Sequence, residues 1–179
     1  MSARATRVPG VRRRTRGGRG AGGRQSPSEA RAHPGLFWYA RFPMPIQKVL
    51  LVDDEDDIRT IGQLSLARVG GWQCALAPNG QVAVELAQSF RPDLVLLDVM
   101  MPGMDGPSTL AALRAQEATR DVPVIFMTAK VQKHEVARYL ELGALGVISK
   151  PFDPMSLPAD IRRLVAAAGG GPGGGPGGP

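Results

Sequence analysis

Between residues 44 and 168 the chain alternates two kinds of hydrophobic pattern. Five short apolar runs stand out: IQKVLLV (46–52), WQCALA (72–77), DLVLLDV (93–99), VPVIFMT (122–128) and ALGVISK (144–150). They are rich in Val, Ile and Leu and bounded by Pro, Gly or Asp, as expected of strands buried on both faces. The stretches between them have helical spacing. Ala83, Leu86, Ala87 and Phe90 fall at i, i+3, i+4 and i+7, as do Val136, Tyr139, Leu140 and Gly143. Ile58, Ile61 and Leu64 mark a first helix, and Ile161, Leu164 and Val165 a last one. Five strands, each followed by a helix, require parallel pairing with right-handed crossovers. The predicted class is α/β, a doubly wound five-stranded parallel sheet with helices on both faces.

Composition restricts the fold to that middle segment. Residues 1–43 hold ten Arg against one acid, Glu29, and almost no apolar periodicity, so they carry +9 and the rest of the chain −3. Too little apolar surface is available there to offset ordering entropy, and the segment is expected to be a disordered arm. Residues 169–179, GGGPGGGPGGP, are expected to form a flexible tail. The expected domain therefore spans 44–168. MPIQKVLLVDD is a natural beginning for it, and the plainer reading of the arm is that translation starts at Met44. The other reading is that runs such as RRRTRGGRG bind nucleic-acid phosphates. A single cysteine, Cys74, excludes an internal disulfide and a thiolate metal cage and suits a reducing, cytoplasmic setting. No run approaches the roughly 18–20 apolar residues needed to span a bilayer, so no membrane partner is expected.

In sheets of this kind the ligand site lies beyond the carboxyl ends of the strands. The residues there are Asp53, Asp54 and Glu55 after the first strand, Asp98 at the end of the third, Thr128 at the end of the fourth and Lys150 at the end of the fifth. Two unit charges 4 Å apart repel by about 4 kcal/mol at an effective dielectric near 20. Asp53, Asp54 and Asp98 together persist only if one is protonated or a cation enters. Oxygen donors without His or Cys favour a hard ion, and a shallow loop site that keeps waters suits Mg²⁺. Beside Lys150 and the Thr128 hydroxyl, such a cluster suits a phosphoryl group, with Asp98 as the central nucleophile.

Four segments, KVLLVDDEDDIR, DLVLLDVMMPGMDG, PVIFMTAK and GVISKPF, occur in an order and spacing that resemble the receiver domain of bacterial two-component response regulators, of the stand-alone chemotaxis-regulator type. The resemblance covers residue 46 to about 167. It implies the flavodoxin-like (βα)5 receiver fold, and that Asp98 accepts a phosphoryl group from a phosphohistidine on a sensor histidine kinase or phosphotransfer protein. Asp54 would bind Mg²⁺ directly, Asp53 alongside it through water, and Met100 through its backbone carbonyl. Thr128 would contact a phosphoryl oxygen, and Lys150 would pair with the phosphoryl group, its ammonium aimed by a cis bond to Pro151. Such a protein is a phosphoacceptor switch, not an enzyme with an external substrate. It catalyses only transfer to its own Asp and slow autodephosphorylation. Its signal would pass to an unidentified downstream protein, or into a phosphorylation-dependent dimer, with the fourth helix, fifth strand and fifth helix as the family's usual partner surface. One position departs from the family. Three residues before the lysine, where Tyr or Phe is frequent, stands Val147, so signalling is expected to run through Thr128 and the helix after it.

Plainer roles compete for single residues. Asp54 or Glu55 could serve the next helix's N-terminus, Asp56 and Asp57 read as solvated first-turn acids, and Asp105 as the cap of the third helix. His134 reads as a solvated helix position and Cys74 as a small core hydrophobe. A phosphatase of the haloacid dehalogenase class needs an acid two residues after the nucleophile, and here Met100 occupies that place. A receiver-like domain that binds partners without phosphorylation would have no need of the complete set of acids, hydroxyl and lysine.

Overall fold

The structure, a computed structural model, describes residues 45–129 and 132–169. The arm expected over 1–43 and the rest of the Gly/Pro tail lie outside the described residues.

Five strands form a single parallel sheet: β1 (Lys48–Val52), β2 (Gln73–Ala77), β3 (Leu94–Asp98), β4 (Val124–Thr128) and β5 (Gly146–Ser149). Their order is β2-β1-β3-β4-β5, the flavodoxin-like doubly wound topology that the sequence predicts. In register, Val52 pairs with Ala77 and Leu97, Asp98 with Met127, and Thr128 with Ser149. These pairings align the carboxyl ends of the strands along one rim. From β1 the chain steps to β2 on one side and then crosses back to β3 on the other, so the topological switch point lies between β1 and β3.

The helices are α1 (Asp56–Leu64), α2 (Gly80–Phe90), α3 (Gly106–Ala115), α4 (Lys133–Glu141) and α5 (Leu157–Gly169). Leu50, Val52, Val95, Leu97, Val124 and Phe126 face a core closed by Ala83, Ala87, Leu110, Leu113 and Tyr139 of α2, α3 and α4. Val49, Leu51, Leu94, Leu96, Ile125, Met127 and Ile148 face the other, closed by Leu66, Trp72, Leu157 and Ile161. Every side chain of β3 and β4 is buried, which is why those runs read as continuous rather than alternating. Cys74 packs against the second core, and burial pushes its thiol up to about 12. No helix of the described residues is long and apolar enough to cross a membrane.

Two predicted helix faces are corrected. In α1, Ile61 and Leu64 are exposed, and the side turned to the sheet carries Gly62 followed by Ser65 and Leu66. Gly62 lies so close to Leu51 that an added Cβ would stand 2.5 Å from Leu51 Cδ2. The helix ends in a π-helical turn, Ser65–Val69, whose Leu66 enters the core. The buried Ser65 hydroxyl donates to the Pro154 carbonyl in the loop that follows β5. In α4, Tyr139 is buried as expected, whereas Leu140 is exposed and Gly143 lies beyond the helix in a positive-φ turn. At the far side, Arg162 of α5 stacks over Trp72 at 4.8 Å and donates to the Gly70 carbonyl, fastening α5 to the α1–β2 connection.

Asp105 caps α3, its carboxylate accepting from Ser108 N at 2.8 Å. Next to it, Gly106 donates its N–H to the Val99 carbonyl, and a Cβ there would stand 2.5 Å from the Asp98 carbonyl oxygen and 2.8 Å from Val99 Cα. The obstruction is backbone at the end of β3 and cannot swing aside. Gly106→Ala is therefore expected to lower stability by about 1–3 kcal/mol in urea unfolding, the range for overpacking a tight contact. An unchanged unfolding midpoint would show that α3 sits further from β3 than described.

Candidate functional site

At the rim, strand alternation decides which way each polar residue points. Asp53 continues Val49 and Leu51, Asp98 continues Leu94 and Leu96, and Lys150 continues Ile148, all on the face covered by α1 and α5. Thr128 continues Val124 and Phe126, on the face covered by α2, α3 and α4. Asp53, Asp98 and Thr128 are buried, and Asp54 is exposed.

Asp53, Asp54 and Asp98 each offer a carboxylate oxygen, and these oxygens lie within 4.8 Å of one another. The Lys150 ammonium is the cation among them. It donates to Asp53 Oδ2 at 2.8 Å, lies 3.3 Å from Glu55 Oε1 and pairs with Asp98 Oδ1 at 3.4 Å. The Lys150–Pro151 peptide is cis. Burial pulls the lysine's pKa down, but the hydrogen bond and charge of Asp53, with Asp98 and Glu55 behind them, outweigh it and hold the value above the usual one. The opposite balance holds at Asp98. Burial, and then the Asp53 charge, push its carboxyl up to about 6, against the lowering effect of Lys150 and of the Met100 backbone N–H.

Asp53 is held at every polar group. Its N–H donates to the Ala77 carbonyl at 3.2 Å, its Oδ1 accepts from Glu55 N at 3.0 Å, and its Oδ2 accepts from Lys150. Its carbonyl accepts from Arg59 Nη1 at 2.5 Å. Neither Glu55 nor Asp54 caps α1: Glu55 stands at the N-cap without a side-chain capping bond and turns its carboxylate to Lys150. Asp56 and Asp57 are exposed first-turn acids, although Asp56 pairs with Arg59. His134 is exposed on α4. The Met100 side chain is largely exposed and takes no part in the cluster. Val147 is half-buried against the core that holds Phe126 and Tyr139, whose rings lie 5.1 Å apart at 55°.

Sequence reasoning missed Arg59. Its partner is a backbone carbonyl, which leaves no trace in residue type, and only the i, i+3 spacing from Asp56 hints that it folds back over the loop. The three clustered carboxylates have a donor chemistry that fits a hard divalent cation, and the exposure of Asp54 leaves room for waters in the coordination shell.

Comparison with known proteins bears on the fold and the family. The family model of the response regulator receiver domain matches residues 49–162. The phosphate regulon transcriptional regulatory protein PhoB of Pseudomonas aeruginosa is 37% identical over 128 residues, which cover 72% of this chain and 56% of that protein. The transcriptional regulatory protein CseB of Streptomyces coelicolor is 43% identical over 126 residues, covering 69% of this chain and 52% of that one. The chain thus spans about half the length of the relatives it matches. Among solved structures, the chemotaxis protein CheY4 of Vibrio cholerae superposes with a TM-score of 0.62 at 31% identity, over 66% of this chain and 98% of that one. Receiver domains bind Mg²⁺ in general, and response regulators work with histidine kinases in two-component signalling. The family match, over most of the described residues, establishes that this chain belongs to the response regulator receiver domain family.

Proposed function

We propose that Asp98 is the phosphoacceptor of this receiver domain and that Asp53, Asp54, Asp98 and the Met100 carbonyl hold Mg²⁺. The observation that carries the reading is the buried Asp98 carboxylate, paired with Lys150 at 3.4 Å and crowded by two further acids at the switch point of the sheet. When bound, the cation supplies the positive charge that the carboxylates and incoming phosphoryl oxygens lack.

An Asp98 oxygen attacks the phosphorus of a phosphohistidine on a sensor kinase or phosphotransfer protein. The acyl-phosphate P–O bond forms as the P–N bond breaks, and its electron pair leaves on the imidazole nitrogen. Lys150, already at the carboxylate, counters charge on one phosphoryl oxygen, and the Thr128 hydroxyl receives another. The protein has no external substrate to turn over: transfer to its own aspartate and slow loss of the phosphoryl group complete its chemistry. Thr128 continues the strand face of Phe126, so its displacement bears on the side of the sheet covered by α4, and output passes by protein contacts to a downstream partner in the cytoplasm. The receiver occupies residues 44–168 in this reading.

Incubation with a phosphorylated histidine kinase and Mg²⁺ is expected to label the wild type with a hydroxylamine-sensitive phosphoryl group and to leave Asp98→Asn unlabelled. Equal labelling of both proteins would overturn the assignment. Chelation of the divalent ion should abolish labelling of the wild type.

The raised pKa of Asp98 predicts a pH dependence of the metal-free protein. The folded chain holds this proton more tightly than the unfolded one. The stabilising contribution is therefore complete below the ordinary value of 3.8 and is lost as pH rises through about 6. Metal-free Asp98→Asn should consequently melt above the wild type near neutral pH, the gap closing toward about pH 4 as both side chains become neutral. Proton and cation compete for the same carboxylate, so the apparent Mg²⁺ affinity measured by calorimetry should fall by up to about tenfold for each unit below that pKa. A pH-independent affinity across this window would contradict the role of Asp98 as a ligand.

A further inference from the structure

We propose that Arg59 is a positioning residue for the metal site: its guanidinium fixes the Asp53–Asp54 peptide and so aims the Asp54 carboxylate at Asp98. The inference rests on the reading of Asp53, Asp54 and Asp98 as the cation ligands.

Arg59 lies on α1, and its side chain is only 12% exposed although its partner Asp56 is 90% exposed. A cation on the outer helix layer would ordinarily extend into water. Here it folds back over the β1–α1 loop, with Nη1 donating to the Asp53 carbonyl and Nη2 to the Asp56 carboxylate. Past Val52, the last ladder residue of β1, the guanidinium serves that carbonyl. The peptide is planar, so the direction of the Asp53 carbonyl also sets the plane that leads to the Asp54 Cα. Glu55 N and Lys150 fix the Asp53 carboxylate, and Ala77 fixes its N–H. Exposed Asp54 depends on its backbone for direction, and Arg59 holds the peptide from which that backbone continues. The planar fork suits this task, since two donors of fixed geometry hold the guanidinium from both ends, the carbonyl at one and Asp56 at the other.

The charge of Arg59 and its geometry make opposite predictions, which separates them. A positive charge beside a cation site weakens binding, so a purely electrostatic Arg59 would make Arg59→Met bind Mg²⁺ more tightly and leave Arg59→Lys unchanged. A positioning role makes both variants weaker, Met more than Lys, because lysine keeps one donor and loses the fork. Partners of metal ligands typically change affinity by about 10–100-fold when removed.

The test is Mn²⁺ binding followed by electron paramagnetic resonance and Mg²⁺ binding by calorimetry, on wild type, Arg59→Met, Arg59→Lys, Asp56→Asn and Asp54→Asn. Arg59→Met is expected to weaken binding roughly tenfold or more, at the level of a lost partner of a metal ligand. Arg59→Lys should fall between it and the wild type, and Asp56→Asn, which loosens only one anchor, should lose less. In phosphorylation assays the Mg²⁺ concentration for half-maximal labelling should rise while the rate at saturating Mg²⁺ stays near that of the wild type, a split that general loss of fold would not produce. Should Arg59→Met fail to fold, Arg59→Lys and Asp56→Asn still decide. Wild-type or tighter binding by the Arg59 variants, with Asp54→Asn impaired, overturns the role of Arg59 alone. Absence of binding by the wild type overturns the metal site and the role of Arg59 with it.

Discussion

The structure depends on one electrostatic constraint: three carboxylates crowd the carboxyl ends of β1 and β3, and the Lys150 ammonium lies among them. Each like-charged pair at about 4 Å costs roughly 4 kcal/mol at the effective dielectric of a protein surface, so one lysine cannot balance three acids. Burial, and after it the charge of Asp53, raise the Asp98 pKa to about 6, so the crowding adds to a cost that desolvation already imposes. A proton on Asp98 relieves it and so does a divalent cation, but only the cation leaves the carboxylate free as a nucleophile. The metal requirement of the proposed chemistry thus follows from how the acids are packed, before any feature of the phosphoryl donor is considered.

Topology makes that crowding unavoidable. The order β2-β1-β3-β4-β5 brings β1 and β3 side by side, with Val52 opposite Leu97, so the residues that follow them must meet. β5, at the sheet edge beyond β4, contributes Lys150 from the same face. The bond from Ser65 to Pro154 ties the loop beyond Lys150 to the end of α1, the helix that carries Arg59. The acids and the lysine therefore share one structural unit on the α1/α5 side, in which a change at any member is felt by the others.

Much of this was legible in the sequence, and the limits are physical. β3 and β4 announced themselves because burial on both faces leaves almost only apolar residues, while the edge strands β2 and β5 are partly exposed and were legible as short apolar runs. Asp98, Thr128 and Lys150 stood out as polar residues ending such runs. The inward side of α1 was illegible because the helix meets the sheet through Gly62 and Ser65, small residues that carry no hydrophobic signal, while Ile61 and Leu64 point outward. A π-helical turn follows, and its Leu66 is the one large apolar side chain that this side sends into the core. Arg59 was hidden for a different reason. It serves a backbone carbonyl, and residue types encode side-chain chemistry, whereas the demands of a strand end become visible only once the strand is built.

Val147 sharpens the question of how a change at the rim reaches the surface. Thr128 lies on the strand face opposite to that of the acids, and the next side chain along that face is Phe126, whose ring packs against Tyr139 of α4 at 5.1 Å. Val147 is the cross-strand partner of Phe126 and is too short to bring a ring of its own into that contact. The aromatic pair on this side of the sheet therefore joins a central strand to a helix, where an aromatic residue at position 147 would place a ring on the edge strand β5. Close-packed rings transmit displacement because neither can yield without opening a void. Movement at Thr128 would consequently reach α4 through the backbone of β4 and the Phe126–Tyr139 contact, without a ring turning inward from β5.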